Sequence, residues 1–351
     1  YFSDMQQHEM FMLRCIELAE KGLGLVAPNP MVGAVLVHEG RIIGEGFHEK
    51  YGEAHAEVNC LQSVKAEDRH LITFSTLYVS LEPCSHYGKT PPCSLLILEN
   101  NIPKIVIGAK DPFEEVNGKG IEQLRNAGRE VIVGVLEKEC KWQNRRFNTF
   151  HLEHRPYIIL KWAESEDGFI APIGNMQYWL TNDFSKQLVH RWRTEEPAIM
   201  VGYNTVMADN PQLTARLWKG KNPVRVVVDQ HCTLPKTQQI FSAEGELLLF
   251  NALHEEQVEN VSYCKINFTQ SIIPQVLQVL YKKGIQSVII EGGQKILNLF
   301  IEANLWDEAR VFKTQVQLLN GIEAPTLLLP PTQEENIDTD QLVTYYNLQH
   351  D

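Results

Sequence analysis

The chain has 351 residues, 44% hydrophobic and 22% charged, values that exclude a disordered or fibrous protein and give length enough for two globular domains. Its formal net charge of −12 argues against nucleic acid as a partner, because such binders carry a basic footprint, and favours a small substrate held by a few local Lys or Arg. No apolar run approaches the roughly 20 residues needed to cross a bilayer, and the seven scattered cysteines fit a reducing cytoplasm.

Residues 5–21 place Phe11, Met12, Cys15, Ile16 and Ala19 at helical spacing behind Ser3 or Asp4 as a cap, which predicts a core-facing helix. Ala27-Pro28-Asn29-Pro30 breaks it. Two apolar runs, 31–37 and 41–47, flank Glu39-Gly40 and predict a hairpin. A helix opening at His55 is followed by a strand at 76–81, a helix opening at Cys93 behind Pro91-Pro92, a strand at 104–108, a helix around 121–126 and a strand at 130–136. This alternation predicts a mainly parallel sheet with helices on both faces, whose strand ends are where such a fold places a site. The helical, basic stretch 137–154 is expected to cover the join between two domains, 1–150 and 151–351. From Pro156 a second alternating series begins. Residues 157–161, 198–201, 224–229, 246–250, 287–290 and 308–313 read as strands, with strongly periodic helices at 272–283 and 294–301.

His55-Ala56-Glu57 and the run from Pro83 to Cys93 together supply one imidazole, two thiols and one free carboxylate. A catalytic zinc keeps three protein ligands and leaves a fourth position for water, whose pKa falls to about 7. His55, Cys84 and Cys93 are the candidate ligands. A carboxylate off the metal must carry the proton to the departing nitrogen, and Glu57 fits the zinc-deaminase pattern of His-x-Glu, Pro-Cys and a second Cys. A lone His-x-Glu among 12 histidines would be surface chemistry, and two separated cysteines would be core residues or a disulfide. Their conjunction, each half opening a predicted helix, carries the zinc reading. A structural zinc is normally closed by a fourth ligand, which this set lacks. A nucleic-acid base deaminase would need a basic surface and usually a Cys-x-x-Cys spacing.

Two features of the second half stay open on composition. Gly292-Gly293 runs from an apolar strand into a helix, and suits either a phosphate or an ordinary tight turn. The stretch from Gly202 to Pro211, followed by Leu213 and Arg216, reads as a polar loop.

Several longer motifs coincide: Pro28-Asn29-Pro30-Met31-Val32-Gly33, His48 ahead of His55-Ala56-Glu57, and the long Cys84-to-Cys93 loop. The second half adds Leu160-Lys161-Trp162-Ala163 leading to Asp167-Gly168, Gly202 through Pro211, and Glu291-Gly292-Gly293. With these motifs nearly the whole chain resembles the bifunctional riboflavin-biosynthesis deaminase/reductases of bacteria. The resemblance implies an α/β protein of two domains. The first would be a cytidine-deaminase-like three-layer α/β/α domain holding one Zn2+, which hydrolyses the 2-amino group of 2,5-diamino-6-ribosylamino-4(3H)-pyrimidinone 5′-phosphate. The second would be a dihydrofolate-reductase-like α/β domain that uses NADPH to reduce the ribosyl unit to a ribityl chain.

Carried over by position, the resemblance implies that Asn29, His48, His86 and Lys89 grip the deaminase substrate, with Lys89 on its 5′-phosphate. Gln177, Arg193, Leu213, Arg216 and Glu291 would contact the reductase substrate. Ala163, Trp179, Thr205, Asp209 and Gln230, with the run Gly293, Gln294, Lys295, Ile296, Leu297, Asn298 and Leu299, would contact the nucleotide. Gln177 and Gln230 stand where relatives often carry serine, and Glu166 where they carry leucine. The implied partners are a phosphorylated small molecule and further copies of the chain in a homo-oligomer, with no nucleic acid and no membrane. The alternative is a deaminase whose second domain is non-catalytic or differently specific, and NADPH oxidation separates the two.

Overall fold

The computed structural model describes residues 4–85, 91–114, 116–174 and 178–348, in two compact units, 1–153 and 154–351. In the first unit β1 (Gly33–His38) and β2 (Arg41–Phe47) form the expected antiparallel hairpin, turning through Glu39 and Gly40 at φ 47° and 78°. β3 (Thr76–Leu81) pairs antiparallel with β1, while β4 (Lys104–Ala109) and β5 (Glu130–Val133) add in parallel, giving the order β2-β1-β3-β4-β5. The sheet is therefore mixed rather than mainly parallel. A turn as short as 39–40 can join only antiparallel neighbours, whereas β3, β4 and β5 are linked through helices. The last strand stops at Val133 instead of 136, because Gly134 and Leu136 adopt φ 95° and 51° and turn the chain into the next helix.

Alternate residues of β1 enter different layers. Val35 and Val37 share a core with Phe11, Met12 and Cys15 of α1 (Asp4–Glu20), whereas Ala34 and Leu36 share one with Ala56 and Cys60 of α2 (Ala56–Gln62). Ile97 of α3 (Cys93–Glu99) and Leu124 of α4 (Lys119–Asn126) complete the second layer, and Cys140 of α5 (Glu137–Gln143) the first. α6 (Arg145–Glu153) ends the unit, and a 3-10 helix spans Ala66–Phe74. Burial on both faces explains why these strands read as unbroken apolar runs. α2 lies so close to β2 that a Cβ on Gly46 would stand 2.3 Å from the Cys60 nitrogen and 2.7 Å from the Ala56 carbonyl oxygen.

The second unit opens with β6 (Tyr157–Glu164), β7 (Phe169–Ala171), α7 (Asp183–Glu195), β8 (Ala198–Gly202), α8 (Tyr203–Asp209) and β9 (Val224–Val228). It continues with α9 (Gln239–Ser242), β10 (Leu247–Asn251), β11 (Glu256–Val258), β12 (Val261–Lys265), α10 (Ile272–Lys282) and β13 (Ser287–Ile290). α11 (Gln294–Glu302), β14 (Glu308–Lys313), β15 (Ile322–Glu323), β16 (Gln333–Ile337) and β17 (Asp340–Tyr346) follow. Ten strands form one sheet in the order β11-β12-β10-β9-β8-β13-β6-β14-β17-β16. The run from β12 to β14 is parallel and β11, β17 and β16 are antiparallel. One face is covered by α10 and α11 through Val276, Leu280, Leu297 and Phe300, the other by α7 through Val189 and Trp192.

All six expected strands are present, but residues 203–209 are a helix and not the loop their polarity suggested. Val206 is buried in the core beside Val201, and one buried side chain in a short amphipathic turn leaves little periodicity to read. At Gly292-Gly293 neither residue adopts positive φ, so this is no left-handed tight turn. The glycine answers a close approach instead: a Cβ on Gly292 would fall 1.6 Å from Ile296 Cγ2.

Gly46→Ala is expected to force α2 off β2 and to destabilise the protein by about 1–3 kcal/mol, the usual cost of overpacking. Urea denaturation measures it, and a wild-type midpoint would show that the helix can yield.

Candidate functional site

Three separate elements bring the candidate metal ligands together. His55 is the residue that precedes α2, Cys84 follows the carboxyl end of β3, and Cys93 is the first residue of α3 behind Pro92. A tetrahedral zinc with bonds of about 2.0 Å to nitrogen and 2.3 Å to sulfur sets such ligands about 3.6 Å apart. His55 Nδ1 stands 3.6 Å from Cys84 Sγ and 3.3 Å from Cys93 Sγ. Among the described residues this is the one His/Cys/Asp/Glu group whose ligand atoms all lie within 4.8 Å of one another.

The two thiols are shifted in opposite directions. Cys84 is lowered to about 4, first by the hydrogen bond from Cys93 and then by His55 and the Cys93 amide, which lies 3.3 Å from its sulfur. Cys93, which gives that hydrogen, is raised, and burial adds to the effect. The hydrogen bond with Cys84 raises His55. Glu57, in the first turn of α2, is only 3% exposed, and burial followed by the charge on Cys84 raises its carboxyl. A raised, buried carboxyl beside an open three-ligand set is suited to proton transfer.

Asn29 and His48 meet beside this centre. The Ala54 carbonyl accepts from His48 Nδ1 at 3.0 Å, which leaves Nε2 to accept from the Asn29 carboxamide at 3.1 Å. Burial lowers His48, and its ring lies edge-on to His55 with centroids 5.3 Å apart. His86 and Lys89 fall outside the described residues. Two acidic groups here had no signal in the sequence. Glu82 accepts from the amides of Gly118 at 2.9 Å, Gly120 at 3.0 Å and Ile121 at 3.2 Å, tying the turn before Cys84 to α4. Asp111 is raised to about 7, first by burial and then by the neighbouring Glu82 and Cys84.

In the second unit the parallel strands deliver the candidate residues to one edge of the sheet. Ala163 lies at the end of β6, Thr205 and Asp209 on α8 behind β8, Gln230 beyond β9, and Glu291 and Gly293 between β13 and α11. Thr205 Oγ1 accepts from the Gly293 amide at 2.9 Å, which ties the two loops a nucleotide would span. Of the run 293–299, Gly293, Gln294, Lys295 and Ile296 open α11, while Leu297 is fully buried and serves the core. Trp179 is exposed ahead of α7, and Gln177 lies outside the described residues.

Arg193 and Glu291 form a partly buried ion pair, Nη2 to Oε2 at 2.7 Å and Nε to Oε1 at 3.3 Å, and Arg193 also reaches the Thr214 carbonyl at 3.2 Å. Burial alone would raise Glu291; the charges of Arg193 and Lys161 and the Arg193 hydrogen bond outweigh it and the carboxyl is lowered. Leu213 is buried, while Arg216 is exposed. Two further residues belong to this cluster. Lys161, a cation within the mainly apolar β6, is lowered by burial. His190 on α7 is lowered to about 4, first by burial and then by the charges of Arg193 and Arg216.

Residues 5–109 match the cytidine and deoxycytidylate deaminase zinc-binding region, and residues 156–329 the RibD C-terminal domain. The chain is 37% identical over 309 residues to the riboflavin biosynthesis protein RibD of Aquifex aeolicus, covering 86% of this chain and 85% of the relative. It is 37% identical over 329 residues to that of Bacillus amyloliquefaciens, covering 91% and 87%. Among solved structures it is similar to the diaminohydroxyphosphoribosylaminopyrimidine deaminase/5-amino-6-(5-phosphoribosylamino)uracil reductase of Thermotoga maritima, with a TM-score of 0.88, 38% identity, and 97% and 99% of the two chains covered. Acinetobacter baumannii RibD gives a TM-score of 0.87 at 30% identity over 98% and 99%.

The depressed His190 makes a pH prediction. Between the ordinary 6.5 and about 4 the unfolded chain binds a proton that the folded chain refuses, so stability falls as pH drops through that window and levels off below it. Urea denaturation across the window should show this slope reduced in His190→Gln; equal slopes in both proteins would assign it to other groups.

Proposed function

Because the chain belongs to the RibD family of bifunctional riboflavin-biosynthesis deaminase/reductases, we propose that His55, Cys84 and Cys93 hold its zinc, that Glu57 moves the proton, and that the cluster around Arg193 and Glu291 receives the reductase substrate. The chain is a bifunctional enzyme, a zinc-dependent deaminase joined to an NADP-dependent reductase. The observation that carries the site reading is the spacing of His55 Nδ1 from the two thiols, 3.6 and 3.3 Å, with Glu57 buried alongside. The reading of a silent second domain is not favoured, since the likeness to RibD proteins extends across both units.

Zinc held by these three residues supplies Lewis acidity and brings the pKa of water at the site to about 7. Glu57 takes a proton from the attacking water and returns it to the departing amino group, a task its raised carboxyl favours. Asn29 and His48 orient the pyrimidine ring, and Lys89 is the proposed partner of the 5′-phosphate. In the second unit a bound NADPH would supply the hydride. Arg193, Arg216 and Lys161 gather positive charge in an otherwise acidic protein, which draws a phosphorylated substrate to this edge of the sheet. Glu291 holds Arg193 in place through two hydrogen bonds. Thr205, Gly293 and the first turn of α11 form the proposed nucleotide side, with Ala163, Trp179, Asp209 and Gln230 around it. The substrate is a small pyrimidine, and no described helix is long and apolar enough to cross a membrane. Assembly into a homo-oligomer remains part of the proposal.

The test is to give the zinc-loaded protein the diaminopyrimidinone ribotide and follow ammonia release and NADPH oxidation together. Both signals are expected; ammonia without NADPH loss would restore the silent-domain reading. Glu57→Gln should keep its zinc, lose deamination by roughly 10²–10⁴-fold, and still reduce substrate supplied already deaminated. Near-normal deamination would remove Glu57 from the mechanism.

A further inference from the structure

Beyond its first residue, β1 is continued by a segment that has lost one backbone neighbour. The last pairing of β1 with β3 is Ala34 with Val79. Past Leu81 the chain leaves toward β4, where the Ala109 carbonyl accepts from the Glu82 amide at 2.9 Å. Successive residues of an extended segment send their polar backbone groups to opposite sides. Val32 faces β2, and its carbonyl accepts from the His48 amide at 2.9 Å. Gly33 and Met31 face the side that β3 has left.

Side chains complete the ladder there. Ser80 Oγ accepts from the Gly33 amide at 3.1 Å. At Met31 a single carboxamide meets both backbone groups: Asn144 Oδ1 accepts from the Met31 amide and Asn144 Nδ2 donates to the Met31 carbonyl, each at 2.8 Å. Asn144 lies between α5 and α6, is 3% exposed, and stands 113 positions away in the chain. Its neighbour Gln143 donates to the Ile16 carbonyl at 2.6 Å, fastening the same corner to α1. The segment so gripped carries Asn29, whose side chain reaches His48 Nε2 at 3.1 Å.

We infer that Asn144 is a positioning residue of the deaminase: its carboxamide replaces the missing strand beside Met31 and so holds Asn29 and His48 in register for the pyrimidine. The inference rests on the substrate role proposed for Asn29 and His48. No hydrogen bond from Asn144 reaches His55, Cys84 or Cys93, so its effect falls on substrate binding and not on metal retention. A merely structural residue would lower stability and leave the Michaelis constant alone.

The experiment compares Asn144→Ala, Asn144→Asp and Asn29→Ala in the full-length protein. Asn144→Asp keeps the size of the side chain but sets a carboxylate against the Met31 carbonyl, and it carries the test should Asn144→Ala fail to fold. Losing one or both hydrogen bonds is expected to raise KM for deamination roughly tenfold in either Asn144 variant, with kcat little changed, zinc content intact and reduction of deaminated substrate unaffected. In zinc-free protein, hydrogen exchange at the Met31 amide should run roughly tenfold faster in Asn144→Ala. A raised KM in Asn29→Ala but not in the Asn144 variants overturns the inference alone, as does unchanged Met31 exchange. An unchanged KM in Asn29→Ala overturns the substrate role of that segment and the inference with it.

Discussion

Parallel strand pairing is the constraint from which both sites follow. Strands that run side by side in one direction must be joined by crossovers, so their strand-to-helix turns collect on one edge. In the first unit the turn after β3 carries Cys84 and leads to α3 with Cys93. In the second, β6, β8, β9 and β13 end on the same edge, bringing Ala163, Thr205, Gln230 and Glu291 into one neighbourhood although they are far apart in the chain. The antiparallel additions, β1 with β2 in one unit and β17 with β16 in the other, extend the sheets without moving that edge.

Charge is handled differently at the two sites. In the deaminase unit the two thiols crowd together with Glu57: the hydrogen bond with Cys84 and then burial raise Cys93, while burial and then the charge on Cys84 raise Glu57. In the reductase unit one carboxylate is already paired: Glu291 is bonded to Arg193 and feels the charge of Lys161, so positive charge is left over, and burial keeps His190 neutral beside them. One centre is built to be completed by a metal ion. The other presents a paired cluster with Arg216 exposed at its margin, which suits an anionic substrate that comes and goes.

The layer of α2, α3 and α4 in the first unit depends on close helix-to-sheet contact. Gly46 lets α2 settle on β2, and that contact fixes the helix whose start carries His55 and Glu57. Glu82 performs the matching task in the same layer, gathering the amides of Gly118 and the first turn of α4 around the turn before Cys84. Geometry at the candidate metal site therefore depends on groups outside it.

What the sequence by itself determined is the chemistry that travels in short motifs. His55, Glu57, Cys84 and Cys93 were legible as candidates because the zinc-deaminase pattern sets those side chains at fixed offsets from helix starts and a strand end. The six main strands of the second unit were legible because buried parallel strands are mainly apolar. The reductase contacts were named by resemblance, and the ion pair of Arg193 with Glu291 gives two of them a common geometry. Only the tertiary structure decided the rest. β16 is largely exposed and β11 wholly so, leaving no apolar run; α8 hides one buried valine in a polar stretch. Lys161 and His190 gain meaning from charges brought in by other elements. Asn144 reads in sequence as an ordinary polar residue within a basic helical stretch, because a side chain that completes another segment's backbone ladder imposes no periodicity on its own. Such contacts are set by where the chain returns in space, and that is decided only when the sheet and its helices pack.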